Sequence, residues 1–175
     1  MYETEWRKLR ADQLRERAKR DAIVIVPVAS IEQHGPHLPV EVDSMLGEAV
    51  AARSAAKLAA RGEEVLVVPV LWTGLSEHHM SFGGTISLEA HEFSALLIGV
   101  VRSLLRAGFK RIVLLNAHGG NENALRTITD DLTPRFRAAI VFGADSARRR
   151  VWCEGPAWVR SCTPESTGHC PERDT

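Results

Sequence analysis

Four short runs of aliphatic and β-branched residues constrain the fold most strongly, because each has the length and composition of a buried strand. They occupy residues 22–28, 64–70, 111–115 and 138–142. Their apolar residues are continuous rather than alternating, which is typical of strands covered on both faces of a sheet. The runs therefore predict a central sheet that lies between two other layers.

Helical segments precede and separate these runs. Helices are predicted at residues 11–20, 44–61, 89–107 and 121–132. The third has apolar residues at i, i+3, i+4 and i+7, which form one helix face. Asn121 is the candidate N-cap of the fourth helix, and Pro134 lies just beyond its predicted end. The order β-α-β-α-β-α-β predicts an α/β fold with three layers, α/β/α, and a mostly parallel sheet.

Length and composition favour one domain, 1–175, in which the periodic pattern ends and the sequence becomes irregular from about residue 148. Lysine plus arginine and aspartate plus glutamate both number 22, so no nucleic acid and no membrane partner is expected. No apolar run approaches the roughly 20 residues of a bilayer span. The charged N-terminus is unlike a secretion signal, and three cysteines do not make a disulfide framework. We expect a cytoplasmic protein.

Chemically useful side chains follow two of the predicted strands. Glu32 and His34 follow the first strand, Asp43 precedes the next helix, and His118 follows the third strand. Either motif alone is more often a solvated loop or a turn. Open parallel sheets, however, place their sites at the carboxyl ends of the strands. Two histidines and two carboxylates form a mixed nitrogen and oxygen set that suits Zn²⁺ or Mn²⁺ better than Ca²⁺.

Three sequence blocks resemble the creatininase (creatinine amidohydrolase) family in the same order. They read EQHGPHLPVEVD, GLSEHHMSFGGTISL and NAHGGN, at residues 32–43, 74–88 and 116–121. The resemblance implies the α/β/α fold and hydrolysis of an amide or cyclic amide C–N bond in a small-molecule substrate. It also implies a homo-oligomer and two divalent ions, Zn²⁺ and/or Mn²⁺, with Fe²⁺ as a further candidate.

The same resemblance assigns roles to individual residues. It makes ligands of the four residues described above, Glu32, His34, Asp43 and His118, with Asp43 bridging the two ions.

Five further residues have candidate roles by resemblance or position. The ending His169-Cys-Pro-Glu172 partly matches a terminal block of the family, so His169 becomes the candidate catalytic proton donor and Glu172 the last metal ligand. Glu122 competes with Glu172, although it is also an ordinary acidic residue for the first turn of a helix. His78 and Trp152 are candidate substrate-binding residues.

Two departures from the family pattern leave a rival function open. Creatininase has a glutamate where this chain has Gly120, and residues 148–171 match the family poorly. The chain also stops inside the terminal block, from which we expect a truncated or altered C-terminal end. The rival is a catalytically inactive family fragment with a structural or metal-binding role. A metallohydrolase acting on phosphate esters is disfavoured, because the sequence has neither a P-loop nor a basic phosphate cluster.

Overall fold

The computed structural model describes residues 2–136 and 139–143, with side chains described as far as residue 133. The strands of the sheet are β1 (Ile23–Val28), β2 (Val65–Val67), β3 (Arg111–Asn116) and β4 (Ala139–Gly143). The α-helices are α1 (Ala11–Lys19), α2 (Val42–Ala60), α3 (Ala90–Arg106) and α4 (Glu122–Phe136). Short 3-10 helices lie at Trp6–Lys8, Glu77–Phe82 and Gly119–Asn121. The predicted α/β fold is confirmed.

The sheet is parallel and has the strand order β2-β1-β3-β4. The connection from β1 to β2 runs in one direction across the sheet, and the connection from β2 to β3 returns across β1. The strand order therefore reverses between β1 and β3. In open α/β sheets, ligands bind in the crevice outside the carboxyl ends of the strands at such a point.

The two faces of β1 pack against different helices. Ile23 and Ile25 contact the apolar cluster that includes Ala51 and Ala55 of α2. Alternate β1 residues belong to the larger cluster with α3 and α4, whose fully buried side chains include Val24, Val26, Phe93, Leu97, Leu125 and Leu132. Burying each such large side chain stabilises the fold by roughly 1.5–3 kcal/mol. Helices on both faces explain why the strand sequences are continuously apolar.

Small residues let α2 lie close to the carboxyl ends of β1 and β3. A Cβ atom on Gly47 would lie 3.1 Å from the Cβ of Ala117 and 3.9 Å from that of Ala29. This close approach brings the first turn of α2, which contains Asp43, over the crevice. The buried position of Asp43 therefore follows from the packing of the helix that carries it.

A buried ion pair joins α1 to the beginning of β2. Arg17 is 9% exposed, and its guanidinium donates to the Glu64 carboxylate and to the backbone oxygen of Glu3. Arg20 donates to the other Glu64 oxygen at 3.1 Å. Burial raises the pKa of Glu64, but the hydrogen bonds from Arg17 and Arg20 outweigh it, and the net pKa is lowered.

Two sequence expectations about element ends are wrong. Helix α4 continues through Pro134 to Phe136, because proline has a helical φ and near a helix end costs little more than one hydrogen bond. Strand β2 is shorter than the predicted 64–70, and the Pro69 that follows it has no N–H to donate to a neighbouring strand. In the described residues, no helix has both the length and the hydropathy needed to cross a membrane.

Candidate metal centre

Four side chains from three chain segments meet at the carboxyl ends of β1 and β3. His118 Nδ1 lies 3.0 Å from Asp43 Oδ2 and 3.3 Å from Glu32 Oε1. His34 Nε2 lies 3.4 Å from Asp43 Oδ1. Glu32, Asp43 and His118 are buried, whereas His34 is partly exposed. The fold thus brings together all four residues that the sequence singled out at these strand ends.

Backbone carbonyls fix which nitrogen of each histidine carries the proton. His118 Nε2 lies 3.0 Å from the Leu75 oxygen, and His34 Nδ1 lies 3.1 Å from the Glu32 backbone oxygen. A carbonyl oxygen only accepts hydrogen bonds, so each of these nitrogens is the donor. In the neutral rings, His118 Nδ1 and His34 Nε2 therefore have lone pairs, and both face carboxylate oxygens.

The two buried carboxylates face histidine lone pairs instead of hydrogen-bond donors, so their negative charge needs a cation. Glu32 Oε2 and Asp43 Oδ2 are buried without a hydrogen-bond partner in the described part of the chain. His118 Nδ1 is 3.0 Å from Asp43 Oδ2, but the contact does not have hydrogen-bond geometry. Uncompensated buried charges cost several kcal/mol each, roughly, so they are normally paired or bound to a metal.

The pKa of His118 reflects the same need for positive charge. Burial lowers this pKa, but the contact with Asp43, the Leu75 carbonyl and the charge of Glu32 together raise it above its ordinary value. The two carboxylates therefore favour a second proton on His118 when no metal is bound. A proton and a metal ion compete for the same nitrogen lone pair.

The donor set fits a transition-metal ion. Three pairs of donor atoms are 3.0–3.4 Å apart, and His34 Nε2 lies 4.0 Å from Glu32 Oε1. The shorter distances are close to those between neighbouring ligands of one ion with bonds of about 2.0–2.2 Å. Asp43 presents one oxygen to His34 and the other to His118, as a carboxylate that bridges two ions would. Two groups of three residues in the described chain have metal-ligand spacing: Glu32, His34 and Asp43, and Glu32, His78 and His118.

The other predicted site residues have different positions. His78 is exposed, and its ring is parallel to that of His118 with a centroid distance of 6.1 Å. Glu122 lies in the first turn of α4 with Oε1 at 3.4 Å from Arg126, and it belongs to neither metal-spaced group. Trp152, His169 and Glu172 lie outside the described residues, so their proposed roles stay predictions.

Asn121 is a structural clamp rather than the predicted N-cap of α4. Its Oδ1 accepts the Leu75 N–H at 2.9 Å, and its Nδ2 donates to the Ala29 oxygen at 3.0 Å. The side chain is fully buried. It thereby ties the loop after β2 to the end of β1 and holds the Leu75 carbonyl against His118. These partners lie 46 and 92 residues away along the chain, so no local sequence pattern predicts them.

The glycine at residue 120, where creatininase itself has a glutamate, has a steric reason. A Cβ on Gly120 would lie 2.2 Å from the Leu75 oxygen and 2.5 Å from His118 Nε2. Such distances are far below any contact that a real Cβ makes. A side chain at residue 120 is therefore incompatible with the hydrogen bond that orients His118.

A serine nucleophile is excluded at this site, although the spacing resembles a catalytic triad. Ser76 Oγ lies 3.1 Å from His118 Nε2, on the opposite side of the ring from Asp43. Ser76 is fully buried, however, and its hydroxyl is hydrogen-bonded to Ser30. A nucleophile must reach the substrate carbonyl, so Ser76 supports the ring of His118 instead.

A buried histidine and carboxylate centre at the switch point of a parallel sheet defines this chain as an α/β protein with a candidate metal site. The sequence profile described as creatinine amidohydrolase (creatininase) matches residues 7–172. The chain therefore belongs to the creatininase family.

Individual relatives agree with this family assignment. The mycofactocin precursor peptide peptidase of Mycolicibacterium smegmatis is 39% identical over 154 residues, which cover 87% of this chain and 55% of the relative. A solved creatininase in its Mn form has a TM-score of 0.74 at 26% identity, covering 82% of this chain and 58% of that one. A Zn-Zn creatininase mutant has a TM-score of 0.72 at 27% identity, with the same coverage. The chain spans about half the length of the curated relatives it matches.

Proposed function

We propose that this chain is a metal-dependent amidohydrolase that cleaves an amide or cyclic amide C–N bond. One observation carries the proposal. His34 and His118 each donate one ring N–H to a backbone carbonyl, and the lone pair on the other ring nitrogen faces buried carboxylates. Metal-binding histidines characteristically donate their other ring N–H to such an acceptor. The family assignment supports hydrolysis of an amide as the reaction.

Glu32, His34, Asp43 and His118 would hold two divalent ions, with Asp43 between them. Zn²⁺ and Mn²⁺ suit this set of nitrogen and oxygen donors, and both ions occur in the names of the similar creatininase structures. Bound ions of this kind polarise a carbonyl group and lower the pKa of water. Glu172 remains the proposed last ligand, and it lies outside the described residues.

The residues of the chain itself would orient the reactants and control access of water. The Leu75 and Glu32 carbonyls hold the rings of His118 and His34 in fixed directions. The more exposed side chains, His34 and His78, mark the side from which a substrate approaches. His169 is proposed to protonate the leaving nitrogen, and Trp152 to contact the substrate.

The substrate is proposed to be a small amide, either cyclic or peptide-like. The family description names creatinine, and the similar relative is named as a peptidase of a precursor peptide. We further propose a cytoplasmic homo-oligomer. Exposed apolar side chains on α2, Met45, Leu46 and Val50, are consistent with contact between copies.

Metal content and amide hydrolysis test this function together. The purified protein would be stripped with a chelator and reloaded with Zn²⁺ or Mn²⁺. Metal per chain would then be measured by mass spectrometry, and amine release would be followed from creatinine and from short peptides. We expect metal-dependent release of amine from creatinine, from the short peptides, or from both. His118→Gln should lose bound metal, whereas His91→Gln, an exposed histidine on α3, should not.

The outcomes separate the proposal from its rival. Retention of all bound metal in the His118→Gln variant would refute the proposed centre. Bound metal without turnover of any amide would favour an inactive fragment that only binds metal.

A further inference from the structure

Gln33 lies between two of the proposed ligands, but its side chain contacts a third histidine. Its Oε1 lies 3.0 Å from the backbone N of Gly35, and its Nε2 lies 2.8 Å from His79 Nδ1. A backbone N–H only donates, so Oε1 is the acceptor and the orientation of the amide group is fixed. The Gln33 Nε2 must therefore donate to His79 Nδ1. In neutral His79, the proton is then on Nε2.

Further contacts hold the His79 segment in place. The backbone N–H of Gln33 donates to Thr85 Oγ1 at 3.2 Å, and this hydroxyl donates to the His79 oxygen at 3.4 Å. The ring of His79 lies 6.1 Å from the ring of Phe82, measured between centroids. His79 Nε2 faces Glu32 Oε1 at 3.8 Å, which is too long for a hydrogen bond. The side chain is 26% exposed, and no hydrogen bond from Nε2 occurs in the described part of the chain.

His34, His118 and His79 therefore differ in what they present to the centre. His34 and His118 present lone pairs, as ligands do, whereas His79 presents an N–H. We propose that Gln33 is a positioning residue that holds His79 as a hydrogen-bond donor for the carbonyl oxygen of an amide substrate. His79 is then not a metal ligand. The substrate role rests on the proposed function, but the proton position on His79 does not.

The proton position can be reversed with an isosteric substitution. In Gln33→Glu, one carboxylate oxygen keeps the hydrogen bond from Gly35, and the other offers a lone pair to His79 Nδ1. The variant should therefore carry a proton on Nδ1, supplied by loss of the Nε2 proton or by uptake from solvent, whereas neutral wild-type His79 carries none there. Long-range ¹⁵N–¹H spectra of ¹⁵N-histidine-labelled, zinc-loaded protein distinguish the two tautomers, and His79→Gln assigns the signal. Gln13→Glu, a partly exposed glutamine in α1 whose Oε1 accepts the Arg10 backbone N–H, is the matched control, because a carboxylate can keep this hydrogen bond, and it should leave His79 unchanged.

Metal content and kinetics test the role of the donor. His79→Ala should keep the metal content of the wild-type protein and lower kcat about 10²-fold, the effect of losing one aligned donor. His79→Gln should recover part of this loss, because its amide N–H can also donate.

Three results would overturn the proposal. The first is a wild-type His79 protonated on Nδ1, the second is an unchanged tautomer in Gln33→Glu, and the third is loss of bound metal in His79→Ala. A wild-type protein without metal or turnover would refute the proposed function and the substrate role of His79. The spectra would still determine whether Gln33 sets the tautomer, so the two failures are distinguishable.

Discussion

Replacing Asp43 by asparagine should remove the stability that a divalent metal gives this protein. Asp43 is buried and presents its two oxygens to different histidines. Asparagine has the same shape but no charge, and its NH₂ group can donate to one of the facing lone pairs. The metal-free variant should therefore fold at least as well as the metal-free wild type, because one buried negative charge has been removed.

The expected size follows from linkage between binding and folding. A metal at 100 times its Kd stabilises the native state by about 2.7 kcal/mol. For a domain of this size, 1 kcal/mol shifts Tm by roughly 2–4 °C, so the wild type should gain about 5–11 °C. If loss of Asp43 weakens binding about 100-fold, the same metal concentration stabilises the variant by only about 0.4 kcal/mol, or about 1–2 °C.

Thermal unfolding followed by circular dichroism, in chelator and in graded Zn²⁺, measures both gains. Glu48→Gln is the matched control, because Glu48 lies exposed on the same helix. It should show the full wild-type gain. A wild type whose Tm does not respond to metal, or an Asp43→Asn variant that gains as much as the control, would refute the reasoning.

Two further predictions concern residues outside the proposed set of metal ligands. Because the pKa of Glu64 is lowered in the fold, its contribution to stability is present above the unfolded pKa of about 4.5 and is lost as pH falls through the lower folded pKa. Glu64→Gln should cost about 1.5–3 kcal/mol at neutral pH and progressively less as the pH falls below the unfolded pKa. Urea denaturation at each pH measures this cost, and a pH-independent cost would contradict the assignment. Gly120→Ala should cost about 1–3 kcal/mol and weaken metal binding, because its Cβ meets the Leu75 oxygen. Gly119→Ala, where a Cβ meets nothing within 4 Å in the described chain, should cost little, and equal losses in the two alanine variants would disprove the steric explanation.

The layered fold could be predicted from sequence because its signals are local. Each strand is a short apolar run, and α3 has a periodic apolar face. The predictions were wrong where a residue type can have two different structural roles. Pro134 was expected to end α4 but lies inside it, and Asn121 was expected to cap α4 but binds Leu75 and Ala29.

The site was only partly predictable, for a related reason. Residue type and position after a strand were enough to select Glu32, His34 and His118, which the structure brings together, although their role as ligands stays a prediction. The hydrogen bond between Gln33 and His79 joins residues 46 apart. Such pairs depend on where the loops after β1 and β2 meet, and a single sequence does not encode that distance in any local pattern.

The acceptors that orient both proposed ligand histidines are main-chain oxygens, of Leu75 and Glu32. Substitution of a side chain cannot delete a carbonyl group, so the backbone conformation determines the orientation of each ring. The orientation of the His118 ring should therefore depend less on the side chain of Leu75 than on Gly74, Gly120 and Asn121, which shape that conformation. Side chains around the proposed metal centre can therefore be changed while the ring orientation is left untouched.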